Sequence, residues 1–180
     1  GFVMVIPFPP IPPLPETSSV ELRRTRVFVL GSFPDIEGTQ RRSRALLGRL
    51  ATGLSAQGWD AFVSGDPRSL ELAGAMLSPR KMTEVLERVA DLSVYVATLG
   101  GRGEGWASEI TAMQLSYPEG AAKRALLLET GFPLTAVLDP ARAGYLSDPP
   151  VFTVSWADEV ELLWTAGLLA RHVARFGSLP

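Results

Sequence analysis

The chain has 180 residues, of which 46% are apolar and 20% charged, a composition typical of one globular domain with a large core. Its 17 basic and 19 acidic residues give a net charge of −2 at pH 7, so neither nucleic acid nor an anionic membrane surface is an expected partner. The absence of cysteine and the presence of a single histidine, His172, exclude disulfides, thiol catalysis and two-histidine metal sites within one chain. The sequence therefore predicts no metal and no cofactor. Any acid–base catalysis is expected to depend mainly on carboxylates.

A proline-rich arm over residues 1–22 precedes the predicted domain at 23–180. Six of the 15 prolines lie within residues 1–15, which favours polyproline-like extension and excludes a helix or a central strand. Either this arm packs Phe2, Phe8 and Ile11 on a partner subunit, or it is a loosely held tail. It lacks the features of a signal peptide, and no apolar run reaches the roughly 18 residues of a membrane span, so we expect a cytoplasmic protein.

From residue 26, apolar runs that indicate buried strands alternate with apolar stripes at helical spacing. The predicted strands are 26–30, 59–63, 91–97, 125–128 and 151–154, and the predicted helices are 39–57, 68–77, 79–89, 106–117 and 157–176. Residues 131–149 contain three prolines and are expected to be irregular. The alternation predicts an α/β fold, specifically a flavodoxin-like three-layer α/β/α sandwich with a five-stranded parallel sheet in the order 2-1-3-4-5.

Such sheets bind ligands beyond the carboxyl ends of the strands, at the switch point between the first and third strands. The first of the two loops there, Gly31-Ser32-Phe33, offers backbone N–H groups and a hydroxyl to a phosphate or a sugar, although a simple tight turn explains it equally well. The second loop contains Gly100, Gly101, Gly103 and Gly105 and precedes a helix whose N-terminus favours an anion. It matches neither a P-loop nor a dinucleotide-binding fingerprint.

Glu109 is the main candidate for chemistry. It lies early in the helix after the glycine-rich loop, near the face that carries Trp106 and Met113. A carboxylate beside an apolar stripe at the ligand end of a sheet is a candidate nucleophile or base. The alternative is a surface glutamate that only stabilises the helix dipole, and Glu104 is the competing carboxylate in the same loop.

Four segments resemble the 2'-deoxynucleoside 5'-phosphate N-hydrolases of the nucleoside 2-deoxyribosyltransferase superfamily. They are RVFVLGSF (26–33), LERVADLSVYVATL (86–99), GEGWASEITAMQ (103–114) and VFTVSWADEVELL (151–163), in the same order as in that family. The resemblance implies a flavodoxin-like fold, a homodimer, a nucleoside or nucleotide substrate, and a glutamate that attacks the anomeric carbon of a deoxyribose.

Carried over to this chain, the resemblance makes Glu109 the nucleophile, and Gly31 and Ser32 substrate-binding. The loop glycines Gly101, Gly103 and Gly105 would cradle a 5'-phosphate. Phe33, Asp66 and Trp106 are also assigned to the substrate site, with Trp106 placed to stack on a base.

The chain departs from the family at four places, one of which is Thr111, where the family usually has a glycine shortly after the glutamate. Phe28 stands where the family often has a tyrosine, and Thr83, with Glu84 beside it, stands where the family has an aspartate. Two extra residues separate Trp106 from Glu109. These departures leave two interpretations: cleavage or transfer at an N-glycosidic bond, or a non-catalytic nucleotide-binding or regulatory relative. A third is an assembly protein that uses the arm and the final helix.

Overall fold

The structure is a computed structural model that describes residues 4–6, 25–31, 39–99, 104–132 and 151–180. The strands are β1 (Met4–Ile6), β2 (Arg26–Gly31), β3 (Asp60–Val63), β4 (Leu92–Ala97), β5 (Arg124–Glu129) and β6 (Phe152–Trp156). The helices are α1 (Thr39–Ala56), α2 (Pro67–Ala73), α3 (Pro79–Val89), α4 (Glu104–Ser116) and α5 (Glu159–Phe176), with a 3-10 helix at Pro118–Lys123.

All described strands pair in parallel in one sheet with the order β1-β6-β5-β4-β2-β3. Counted from Arg26, the last five strands have the order 2-1-3-4-5, which confirms the predicted flavodoxin-like topology. The switch point lies between β2 and β4, where Leu30 is in register with Tyr95.

The sixth strand, β1, was not expected. Residues Met4–Ile6 pair in parallel with β6 at the edge of the sheet, and this corrects the prediction of polyproline-like extension for these three residues. The pairing is possible because none of the three is proline and an edge strand tolerates prolines beside it. Phe2, Phe8 and Ile11 lie outside the described residues, so their packing on a partner stays a prediction.

Two helix ends differ from expectation for local reasons. Helix α2 ends at Ala73 rather than near residue 77, because Gly74 adopts a left-handed conformation with φ 76° and donates its N–H to Leu70 O. Helix α4 begins at Glu104, two residues earlier than expected, so part of the glycine-rich loop is helical.

The two faces of the sheet carry separate cores because successive side chains of a strand point to opposite faces. The first face packs against α1 and α5 through residues such as Val29, Leu50 and Leu169. The second face packs Phe28 and Tyr95 against α3 and α4. Among the described helices, none is both long enough and apolar enough to cross a membrane.

Candidate functional site

The candidate site lies on the second face of the sheet, where α3 and α4 pack side by side over β2 and β4. These elements bring Thr83 and Arg80 of α3 near Glu109 of α4, and both residues lower the pKa of its carboxyl. Helix α3 precedes β4 and runs antiparallel to it, so its first turns reach the carboxyl edge of the sheet. Thr83, in the second turn of α3, therefore lies toward the edge at which sheets of this topology bind ligands.

Glu109 is half-buried, and its Oε2 is buried with no hydrogen-bond partner among the residues described. Burial raises the pKa of Glu109, the Thr83 hydrogen bond and the Arg80 charge lower it, and the Glu87 charge raises it, with a raised pKa as the net result. A buried polar atom without a partner costs free energy, so its presence calls for an explanation. A partly desolvated carboxyl with one such oxygen is a functional candidate.

A fully buried polar cluster lies behind Glu109. The Arg124 guanidinium donates to both carboxylate oxygens of Glu87, at 2.6 to 3.0 Å, to Gln114 Oε1 at 2.6 Å and to the Tyr117 carbonyl at 2.9 Å. The Tyr95 hydroxyl donates to Glu87 Oε2. Burial and the neighbouring Glu87 charge raise the pKa of Tyr95 well above its usual value, so its hydroxyl keeps its proton.

The side chains of this cluster, Glu87, Tyr95, Gln114 and Arg124, were not predicted from the sequence. The charge of Glu109 contributes to the raised pKa of Tyr95, and Glu87 acts on both groups, so the cluster and Glu109 are electrostatically linked. The sequence does show that Thr83 and Glu87 stand four residues apart and therefore share one face of a helix. In the structure both positions are buried. Arg124, at the first position of an apolar strand, was the second clue.

Two of the departures from the resembling family, at Phe28 and Thr83, have clear positions. Phe28 is fully buried and stacks on Phe62 with ring centroids 5.5 Å apart, so this position supplies no hydroxyl to the site. Thr83 is buried, and its Oγ1 donates to the Pro79 carbonyl at 3.1 Å. Thr83 thus places a neutral hydroxyl, rather than a carboxylate, beside Glu109.

Trp106 is only 1% exposed and meets Phe132 edge to face at 5.8 Å. Its Nε1 is buried and has no hydrogen-bond partner within the described parts of the chain. In this arrangement the ring packs α4 onto the sheet, and a base would reach its face only after neighbouring groups moved. Base stacking on Trp106 stays a prediction.

Gly31 ends β2 at the switch point, and its glycine identity has a packing reason. A Cβ at this position would lie 2.8 Å from the carbonyl oxygen of Val96 on β4. Ser32, Phe33, Gly101 and Gly103 lie outside the described residues. Gly105 lies in the first turn of α4.

Asp66 has a structural role. Its carboxylate accepts the backbone N–H of Ser69 at 2.7 Å and that of Val63 at 2.8 Å, and so caps the N-terminus of α2. Asp66 also borders a groove of about 540 Å³ between α1 and β3, which opens beside Arg44 on the first face of the sheet, whereas Glu109 lies on the second face. Its assignment to substrate binding stays a prediction.

His172 and Trp156 have structural roles. His172 Nδ1 lies 2.9 Å from the Ser178 carbonyl, to which it donates, and ties the end of α5 to the following residues. Trp156 is buried and donates its Nε1–H to the Leu127 carbonyl at 3.1 Å. Across the described ranges, no group of three histidine, aspartate or glutamate side chains is arranged to hold a metal ion.

No protein-family model matches the sequence, and no curated protein matches it. The resemblance therefore rests on the four quoted segments, and the function is argued from the site.

Proposed function

We propose that the protein cleaves or transfers the N-glycosidic bond of a nucleoside or nucleotide, with Glu109 as the nucleophile. One observation carries the proposal: Glu109 Oε2 is buried and unpartnered among the described residues, where α4 packs against α3. A carboxylate oxygen without a hydrogen-bond partner keeps its lone pairs available to an electrophilic carbon, once the groups that cover it move aside for the substrate. The resemblance of residues 26–176 to the nucleoside 2-deoxyribosyltransferase superfamily supplies the substrate class.

In the proposed reaction, Oε2 attacks the anomeric carbon while the carbon–nitrogen bond breaks and its electron pair leaves with the base. The product is a glycosyl ester on Glu109, which water or a second base then resolves. Attack requires the ionised carboxylate, whereas burial favours the protonated form. We therefore expect the rate to rise with pH as Glu109 ionises, with the Arg80 charge and the Thr83 hydrogen bond assisting ionisation.

The N-terminus of α4 provides the proposed phosphate position. Helix α4 begins at Glu104, within the glycine-rich loop, and N–H groups at a helix start favour an anion. A 5'-phosphate there would hold the sugar on the same side of the sheet as Glu109. The proposed substrate is therefore a nucleoside 5'-phosphate, with a nucleoside as the weaker alternative.

The test is release of free base from a panel of nucleosides and deoxynucleotides. Glu109→Gln keeps the size of the side chain and removes its charge, so we expect it to abolish turnover while ligand binding remains. Glu104→Gln, at the first residue of the same helix, is the matched control and is expected to reduce base release much less. Undiminished base release by Glu109→Gln would overturn the assignment of the nucleophile.

The non-catalytic alternative is favoured by two observations. Phe28 offers no hydroxyl, and Thr83 offers no carboxylate, to assist Glu109. If the wild-type protein releases no base from any substrate but a nucleotide raises its melting temperature, this alternative is correct. A ligand at about 100 times its Kd adds about 2.7 kcal/mol to the stability, which a thermal-shift measurement detects.

We also propose that the chain forms a homodimer through the face formed by α1 and α5. Val160 is 79% exposed and Trp164 is 45% exposed on α5. They lie near a groove of about 200 Å³ whose walls include Leu46, Leu50 and Leu163. Exposed apolar groups that adjoin a groove are typical of an interface. Light scattering at micromolar concentration is expected to give twice the monomer mass, and a monomer mass would refute the dimer.

A further inference from the structure

The indole N–H of Trp106 is an exception among the buried indoles of the described chain. Trp59 donates its Nε1–H to Gln57 Oε1 at 3.3 Å, and Trp156 donates its own to the Leu127 carbonyl at 3.1 Å. Trp106 is the most deeply buried of the three, and its Nε1 has no partner among the described residues. A buried donor in this state costs free energy, so an acceptor is expected within its reach.

An acceptor with the same need lies three residues further along α4. Glu109 Oε2 is buried and likewise has no partner in the described ranges. Residues three apart in a helix share one face, with Cβ atoms about 5–6 Å apart. A helical side chain also leans back over the preceding turn, and for Glu109 that turn carries Trp106. The glutamate side chain has several rotatable bonds, so its carboxyl can reach the indole without a movement of the helix.

The two extra residues between Trp106 and Glu109 produce this relation. In the motif of the resembling family, the aromatic residue and the glutamate are adjacent, and adjacent residues of a helix do not face each other. Ala107 and Ser108 separate them here, which places the indole and the carboxyl on one face of α4. The same departure therefore brings an N–H donor to Glu109 in a chain whose Phe28 offers no hydroxyl.

We infer that Trp106 is a positioning residue for Glu109: its indole N–H donates to Oε2 when the carboxyl is ionised. A carboxylate oxygen has two lone pairs, so one accepts the indole N–H and the other stays available to a substrate carbon. The catalytic meaning rests on the proposed function. When the glycosyl ester breaks, its electron pair returns to Oε2, and the same N–H then stabilises that charge. The hydrogen bond itself does not depend on the proposed function.

The other charged and titratable groups around Glu109 come from three elements. Helix α3 contributes Arg80, whose charge lowers the pKa of Glu109, and Glu87, whose charge raises it. Strand β4 contributes Tyr95, which keeps its proton, and β5 contributes Arg124, which is paired with Glu87. Each of these groups is retained when only the indole N–H is removed.

The first experiment uses the wild-type protein. The indole 1H–15N resonance of Trp106, assigned through its nuclear Overhauser contacts with the Phe132 ring, is followed against pH. The Glu109 carboxyl is followed by 13C NMR of labelled glutamate, and its signal is assigned by its loss in Glu109→Gln. We expect both resonances to move with one midpoint, and the indole of Trp156 to stay still over that range. A Trp106 indole resonance that does not change through the Glu109 midpoint would overturn the inference.

The second experiment removes the donor. Trp106→Phe keeps an aromatic ring and lacks the N–H, so the Glu109 midpoint is expected to rise by about one pH unit, the size of one charge-assisted hydrogen bond. Water that entered the space left by the smaller ring would act in the opposite direction, because it would relieve burial. Trp156→Phe is the matched control, since it removes a buried indole N–H on the first face of the sheet. An unchanged or lowered midpoint in a folded Trp106→Phe protein, or an equal rise in Trp156→Phe, contradicts the inference.

The base-release assay separates this inference from the proposed function. If the wild type turns over, the acid limb of its pH profile is expected to move with the NMR midpoint in Trp106→Phe. The rate on that limb is then expected to be about tenfold lower, with kcat affected more than KM. If the wild type releases no base, the proposed function fails, and the two NMR titrations still decide the role of Trp106.

Discussion

Arg124→Met is expected to be the most damaging single substitution near the candidate site. Arg124 is 1% exposed, and its guanidinium makes three hydrogen bonds to Glu87, one to Gln114 and one to the Tyr117 carbonyl. Methionine fills much of the same space but leaves the Glu87 carboxylate buried without a cation. Breaking a buried pair in this way costs about 3–5 kcal/mol, a large part of the roughly 5–15 kcal/mol that stabilises a typical domain.

A second variant separates the lost charge pair from the lost packing. In the double variant Glu87→Gln with Arg124→Met, no charge stays buried, and the amide oxygen at position 87 still accepts from Tyr95. The double variant is therefore expected to lose only about 1–3 kcal/mol, the cost of the remaining unpaired polar groups. It should be more stable than Arg124→Met alone, although it carries one more substitution.

The assay is urea unfolding at pH 7, followed by tryptophan fluorescence, to which the buried Trp59, Trp106 and Trp156 contribute. Arg49→Met is the control, because Arg49 forms an ion pair with Glu159 in which both side chains are more than half exposed. That pair is expected to contribute little to stability, because solvent screens it. The reasoning is refuted if Arg124→Met costs no more than Arg49→Met, or if the double variant is as unstable as Arg124→Met.

Three further predictions concern the fold and the pH dependence of its stability. Gly31→Ala is expected to lower the free energy of unfolding in urea by about 1–3 kcal/mol, because its Cβ would lie 2.8 Å from the Val96 carbonyl oxygen. Gly48→Ala, in the middle of α1, is expected to raise it by about 0.8–1 kcal/mol, because a Cβ there meets nothing within 4 Å. If Gly48→Ala were the less stable of the two variants, the packing argument would be contradicted. Asp66→Ala removes the cap of α2 and is expected to lose about 1 kcal/mol, seen as a lower melting temperature, and an unchanged value would mean that the cap is dispensable. Glu109 has a pKa raised by burial in the folded state, so its contribution to stability is present below the unfolded pKa and is lost as the pH rises through the folded one. Glu109→Gln is therefore expected to melt at a higher temperature than the wild type at pH 8 and to show less advantage at pH 4, and an advantage confined to pH 4 would reverse the sign of the argument.

The order of strands and helices was predictable from the sequence because it depends on local periodicity. The apolar run from Val27 to Leu30 is buried on both faces of the sheet, and the stripes of α4 and α5 mark the sides that pack. Parallel pairing with right-handed crossovers then leaves few topologies. The location of Glu109 was predictable for the same reason, because a residue early in the helix after the third predicted strand lies near the switch point of such a sheet.

The partners of Glu109 were decided by tertiary structure. The surrounding residues come from three elements: Thr83 and Glu87 from α3, Tyr95 from β4 and Arg124 from β5. No short-range pattern in the sequence shows that these three elements bring their residues together. A buried ion pair also runs against the sequence rule that charged residues face water, and the rule fails here because each charge of the pair compensates the other. The edge strand Met4–Ile6 depends on the same kind of information, because three residues carry too little periodicity to be recognised and only the open edge of β6 gives them hydrogen-bond partners.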